Sequence, residues 1–152
     1  QSELGKGSTF NLILPRNFID DQSRAQEIQN YNWEGKQILI AEDVMVNFLF
    51  YQALLKKTNV QLLHAKNGLE VLELLEENDP DLILMDMVMP KMSGLEATTQ
   101  VRKNHLQIPI IAQSGANFRD NKEMIYMAGC NDIINKPIKP HLLLDKINRF
   151  FE

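Results

Sequence analysis

Four short apolar runs in this chain each lead to a residue able to do chemistry. Ile38-Leu39-Ile40-Ala41 is followed by Glu42 and Asp43, and Leu82-Ile83-Leu84-Met85 by Asp86. Ile108-Pro109-Ile110-Ile111-Ala112 leads to Ser114, and Ile133-Ile134 to Lys136. Three carboxylates converging on one place repel one another unless something positive sits among them. Oxygen-only ligands select a hard cation, and a site with few protein ligands that keeps its waters suits magnesium. Lys136 supplies a fixed positive charge and Ser114 a hydroxyl. Such a set can hold a phosphoryl group, with metal and ammonium balancing its charge and Asp86 acting as nucleophile.

Taken singly, each residue has a plainer role. An acidic pair at a strand end can cap a helix and use its dipole. A lone aspartate forms turns, a lone lysine lies on the surface, and a lone serine caps or turns. What favours chemistry is that all of them fall at strand ends of one architecture. The runs 38–41, 60–63, 82–85, 108–112 and 133–134 read as strands. Between them, helical spacing predicts helices over 44–58, from Gly68 onward, over about 95–105, over 119–128 with Gly129 as the stop, and over 140–151. Strand–helix alternation repeated five times implies a parallel sheet covered by helices on both faces, with right-handed crossovers. Ligands of such sheets sit beyond the carboxyl ends of the strands, where strand order reverses.

Composition narrows the function classes. The chain has 152 residues, 44% hydrophobic and 24% charged, with a net charge of −4. That suits a domain able to bury a core, and no basic stripe is present for direct nucleic-acid binding. No apolar run approaches the ~20 residues of a membrane span, and no signal-peptide pattern opens the chain. The one cysteine, Cys130, excludes an internal disulfide and reads as a small buried residue of a reducing compartment. A cytoplasmic location without membrane contact is therefore expected of this segment, whether or not its parent is membrane-anchored.

At these residues the sequence resembles the response-regulator receiver family over residues 37–151. Ile38 to Asp43 matches its opening acidic pair, with Asn47 where many members carry asparagine. Asp86 is followed by Pro90 and Gly94 at the spacing of the phosphorylation loop. Ile110 to Ala116 resembles the strand that carries its Ser or Thr, and Lys136-Pro137 its closing motif. The resemblance implies a flavodoxin-like (βα)5 fold with strand order 2-1-3-4-5. It implies Asp86 as phosphoacceptor and magnesium held by Asp43, Asp86 and the Val88 carbonyl, with Glu42 acting through water. It further implies Lys136 paired with Asp86 or its phosphate, a mobile Ser114 hydroxyl, and a cis Lys136–Pro137 bond.

Two positions depart from the family pattern. Ile133 stands where many members carry Tyr or Phe, so signalling is expected to run through Ser114 and the loop after it. Val88 faces the phosphoryl site with an apolar side chain that cannot orient a hydrolytic water, which implies a long-lived phosphoaspartate.

Residues 1–15, with Gly5-Lys6-Gly7-Ser8-Thr9-Phe10, resemble the last glycine box and strand of a histidine-kinase ATP-binding domain. A polar linker is expected over 16–35, with a short helical turn near 20–28 and Tyr31 and Trp33 pinning its end to a receiver domain at 36–152. That order implies a hybrid histidine kinase. Its own or a cognate kinase core would be the phosphodonor, and a histidine phosphotransfer domain or the kinase core the downstream partner. The resemblance places the partner surface of most receivers around residues 117–151. His64, His105 and His141 lie in no phosphohistidine motif and read as structural or surface residues. Two other functions compete. An aspartate-nucleophile phosphatase usually carries a second Asp two residues after the first, where Val88 stands. A phosphorylation-independent interaction module would typically lose one of the acidic pair, the Asp or the Lys, all of which are present.

Overall fold

The strands are short and apolar because both faces of the sheet are covered. The computed structural model describes residues 31–105, 107–115 and 121–152. Its elements are β1 (Gln37–Ala41), α1 (Met45–Leu55), β2 (Gln61–Ala65), α2 (Gly68–Glu77), β3 (Leu82–Asp86), α3 (Gly94–Asn104), β4 (Ile110–Ser114), α4 (Lys122–Ala128), β5 (Asp132–Asn135) and α5 (Pro140–Phe151). All strand pairs are parallel, in the order β2-β1-β3-β4-β5. This is the flavodoxin-like topology expected from the sequence. Strand order reverses between β1 and β3, so their carboxyl ends flank the ligand-binding crevice of such sheets.

Side chains alternate between two cores, as the twofold period of a strand requires. Leu39, Ile83, Met85, Ile110 and Ala112 face Val71, Leu75, Ala97, Val101 and Ile125 from α2, α3 and α4. Ile38, Ile40, Leu82, Leu84 and Ile111 face Phe48, Tyr51, Leu55, Leu143 and Ile147 from α1 and α5. Cys130 is buried in the first core.

Local chemistry explains the boundaries. β4 begins at Ile110 rather than Ile108, because Pro109 has no N–H to give a ladder; its carbonyl still accepts from Ile83. β2 runs two residues beyond the expected Leu63, to Ala65. α1 ends at Leu55 and passes into one 3-10 turn, Lys56–Thr58, stopped by Asn59 in a left-handed conformation. Asn67 caps α2 by accepting from the amides of Leu69 and Glu70. Ser93 and Glu96 form a reciprocal capping box on α3. Gly129, at φ 111°, ends α4 as expected. The described part of the fourth helix starts at Lys122; residues 119 and 120 lie outside the described residues.

Residues 1–30, which include the glycine-box strand and the turn expected near 20–28, also lie outside the described residues. Residues 31–33 do not stand off from the domain. Trp33 is buried in the second core, its amide donates to the Thr58 carbonyl at 2.6 Å, and its indole N–H donates to Asn148 at 3.1 Å. The Phe151 ring meets it edge-on, and the Tyr31 hydroxyl donates to Asp145 at 2.8 Å.

Candidate phosphoryl and metal site

β1 ends by delivering Glu42 to the rim. The Glu42 amide continues the ladder by donating to the Ala65 carbonyl at 2.9 Å, and its side chain is fully buried. One carboxylate oxygen accepts from the Val44 amide at 3.2 Å and the Asn47 side chain at 2.9 Å. The other accepts from the Lys136 ammonium at 3.2 Å. Asp43, the next residue, is exposed.

β3 ends at Asp86, which is buried to 6% exposure. Its Oδ1 accepts from the Val88 amide at 3.0 Å and its Oδ2 from Lys136 at 2.6 Å. β5 positions Lys136, whose amide donates to the Ser114 carbonyl at 2.8 Å and whose bond to Pro137 is cis. One oxygen from each of Glu42, Asp43 and Asp86 lies within 4.8 Å of the others. Three carboxylates thus meet beside one ammonium, an oxygen-rich and net-negative set that fits a hard divalent cation such as magnesium.

The electrostatics agree with that geometry. Burial pushes the Asp86 carboxyl up; hydrogen bonds from Lys136 and Val88 pull it down without cancelling the rise, and the Glu42 charge adds to it. Burial alone would lower Lys136, but the hydrogen bond and charge of Asp86, joined by Glu42, hold it above its usual value.

The structure therefore brings Glu42, Asp43, Asp86 and Lys136 together. Ser114 is buried on the neighbouring strand, with its hydroxyl donating to the Gly115 carbonyl at 3.3 Å rather than to Asp86. Val88 presents its amide to Asp86 and leaves its side chain 56% exposed at the rim. Ile133 is buried in the core beneath α4.

Sequence reasoning gave no role here to His64, Tyr51 or Gln113. The His64 ring sits 2.8 Å from the Glu42 carbonyl and stacks on Phe48. The Tyr51 hydroxyl donates to the Gln113 side-chain carbonyl, while the Gln113 amide nitrogen is buried without a partner among the described residues. Gln113 pairs in register with Asp86. Burial, followed by the charges of Glu42 and Asp86, pushes the Tyr51 phenol far above its ordinary value. Only the polar residue inside an otherwise apolar strand, Gln113, carried a signal in sequence.

Beside the rim, Val44 and, on α1, Met45, Val46, Leu49 and Phe50 are exposed. A cleft of about 330 Å³ between α1 and the segment after β5 is lined by Asn47, Phe50, Tyr51, Lys136, Pro137 and Ile138.

The chain is similar in sequence and fold to known proteins. A family profile described as response regulator receiver domain matches residues 38–148. Autoinducer 2 sensor kinase/phosphatase LuxQ of Vibrio vulnificus is 35% identical over 155 aligned positions, which take in 99% of this chain and 18% of that protein. The chain thus spans less than a fifth of the length of this relative. The receiver domain of sensor histidine kinase PA1611 from Pseudomonas aeruginosa, solved with magnesium coordinated in its active-site cleft, is 30% identical. Its TM-score is 0.70, and the match covers 76% of this chain and 97% of that one. A chain in the Saccharomyces cerevisiae co-crystal of the histidine phosphotransfer protein Ypd1 with the receiver domain of Ssk1 is 31% identical. Its TM-score is 0.71, with coverage of 76% and 88%.

Proposed function

The chain belongs to the response regulator receiver family of two-component signalling, and from that premise we propose that it accepts a phosphoryl group on Asp86 from a phosphohistidine. The observation that carries this reading is Asp86 itself: a buried carboxylate 2.6 Å from Lys136, clustered with two further carboxylates at the switch point of the sheet. In the step, an Asp86 carboxylate oxygen attacks phosphorus, the P–N bond to the donor imidazole breaks, and its electron pair stays on that nitrogen. The product is an acyl phosphate.

Each residue has a part. Asp43 and Asp86, with the Val88 carbonyl, would hold magnesium directly, and Glu42 would act through water. When bound, the metal supplies charge neutralisation on the transferring phosphoryl oxygens. Lys136 holds Asp86 in place before transfer and balances the anionic phosphoryl group afterwards. Ser114 turns its hydroxyl from Gly115 to a phosphoryl oxygen. The Val88 amide fixes one Asp86 oxygen, leaving the second to Lys136 and the chemistry.

The donor would be a kinase core, its own or a cognate one, and the downstream partner a histidine phosphotransfer domain or the kinase core. The co-crystal of the phosphotransfer protein Ypd1 with the Ssk1 receiver domain supports a phosphotransfer domain as a partner. The exposed apolar residues of α1 beside the rim support a protein donor. A phosphohistidine reaching Asp86 must bring its surroundings against that helix. The match to LuxQ along nearly the whole chain supports a hybrid histidine kinase as parent, with residues 1–15 from its ATP-binding domain and 16–35 as a linker. A cytoplasmic location fits such a module, and no helix among the described residues is long and apolar enough to cross a membrane.

The test is intact-protein mass after incubation with acetyl phosphate and magnesium, beside Asp86→Asn and a chelated control. The expected gain is one phosphoryl group that needs both Asp86 and the metal. No gain in folded protein would leave the interaction-module reading instead.

A further inference from the structure

We propose that His64 is a positioning residue for the acidic end of β1: it holds the Glu42 carbonyl, and through it the Glu42–Asp43 peptide that aims the Asp43 carboxylate. This deepens the reading just given and rests on it.

The argument starts from the backbone. The β1–β2 ladder closes with the Glu42 amide on the Ala65 carbonyl. Glu42 is fully buried, so its own carbonyl needs a partner within the protein. His64 provides that partner from β2, with Nε2 at 2.8 Å. A carbonyl only accepts, so the hydrogen must lie on Nε2. The ring is held in turn. It lies flat on Phe48 of α1, with centroids 3.8 Å apart and planes within 5°, and Phe48 is itself buried. Three elements, β1, β2 and α1, thus meet at one imidazole.

The effect falls on Asp43 in particular. The Glu42 carbonyl and the Asp43 amide belong to one planar unit, so fixing the first sets the direction in which Asp43 leaves the strand. The Glu42 side chain is held independently by Val44, Asn47 and Lys136. The Asp43 carboxylate accepts no hydrogen bond from any described residue. Its aim depends on the backbone, which the Val44 amide fixes on the far side of Asp43 through the Glu42 carboxylate and His64 fixes on the near side through the Glu42 carbonyl.

Two substitutions separate this role from packing. His64→Phe keeps a ring to stack on Phe48 and loses the donor; His64→Gln loses the ring and keeps an N–H. Calorimetric titration with magnesium would be run on both and on the unaltered protein. Melting temperature and the metal-free Asp43 amide shift would be recorded alongside. The expected result is a magnesium affinity lower by roughly tenfold in the Phe variant, the lower end of what outer-shell partners contribute. Its Asp43 amide should move and its melting temperature stay close to the original. The Gln variant should recover most of the affinity. A Phe variant that binds magnesium as tightly as the unaltered protein would overturn the assignment. So would affinity lost equally in both variants in step with stability. No magnesium binding by the unaltered protein would instead overturn the reading of the acidic rim, and this inference with it.

Discussion

Asp86 is held by opposing forces, and pH exposes them. With its carboxyl raised chiefly by burial, the metal-free folded protein keeps this proton at pH values where the unfolded chain has lost it. Stability from this group therefore falls as pH rises from its ordinary 3.8 through the higher folded value. Lys136 has the opposite consequence. Its raised value gives stability that is full below 10.5 and lost as pH rises through the folded value. Carboxyl-carbon NMR of metal-free protein should place the Asp86 midpoint above 3.8, and Lys136→Met should move it further up by removing its strongest downward pull. Asp86→Asn, which mimics the protonated form, should raise the metal-free melting temperature. Val88 bears on the product rather than the acceptor. Val88→Asn places an amide at the rim where it can orient an attacking water, and the phosphoaspartate should then decay severalfold faster by time-resolved intact mass. At this scale the acidic residues and Lys136 were legible because strand ends mark them. His64 was not, since a histidine on a strand says nothing about the carbonyl two strands' ends will bring beside it.

Among elements, the tightest constraint lies where α3 begins. A Cβ on Gly94 would sit 2.0 Å from the Asp86 carbonyl oxygen and 2.8 Å from its carbon. Both are backbone atoms, so no side-chain rotation relieves the clash. Gly94→Ala should cost about 3 kcal/mol by chemical denaturation, the upper end of overpacking penalties, and should shift the Asp86 amide resonance as the loop is pushed away. The glycine was visible in sequence as part of a motif; only the packing of α3 against the end of β3 gives its reason. Strand and helix types were legible because short apolar runs and three-residue steps differ in period. Boundaries were less so. β2 extends to Ala65 because its register with β1 carries it there, and neighbour pairing leaves no mark on the strand's own residues. The Gln113 side-chain nitrogen near Asp86, without a partner among the described residues, likewise depends on which helix residue, Tyr51, the fold lays against it.

At the scale of the whole molecule, the domain's edge lies upstream of β1. Trp33 fills the second core between Thr58, Asn148 and Phe151, and the chain that precedes β1 enters the fold through it. Trp33→Ala should cost about 3–5 kcal/mol by urea denaturation, as for other large-to-small core changes. A fragment beginning at Lys36 should melt lower than one beginning at Tyr31. Sequence hinted at this anchor through two aromatic residues in a polar stretch, but not at the depth of burial, which depends on α5 ending beside it. Trp33 is also the only tryptophan of the chain, so ultraviolet excitation of this protein interrogates a single place. Its emission colour reports whether the incoming polypeptide is seated or detached, and a detached chain shifts it toward the red. The molecule thus carries its own optical gauge of whether the segment leading into β1 is docked.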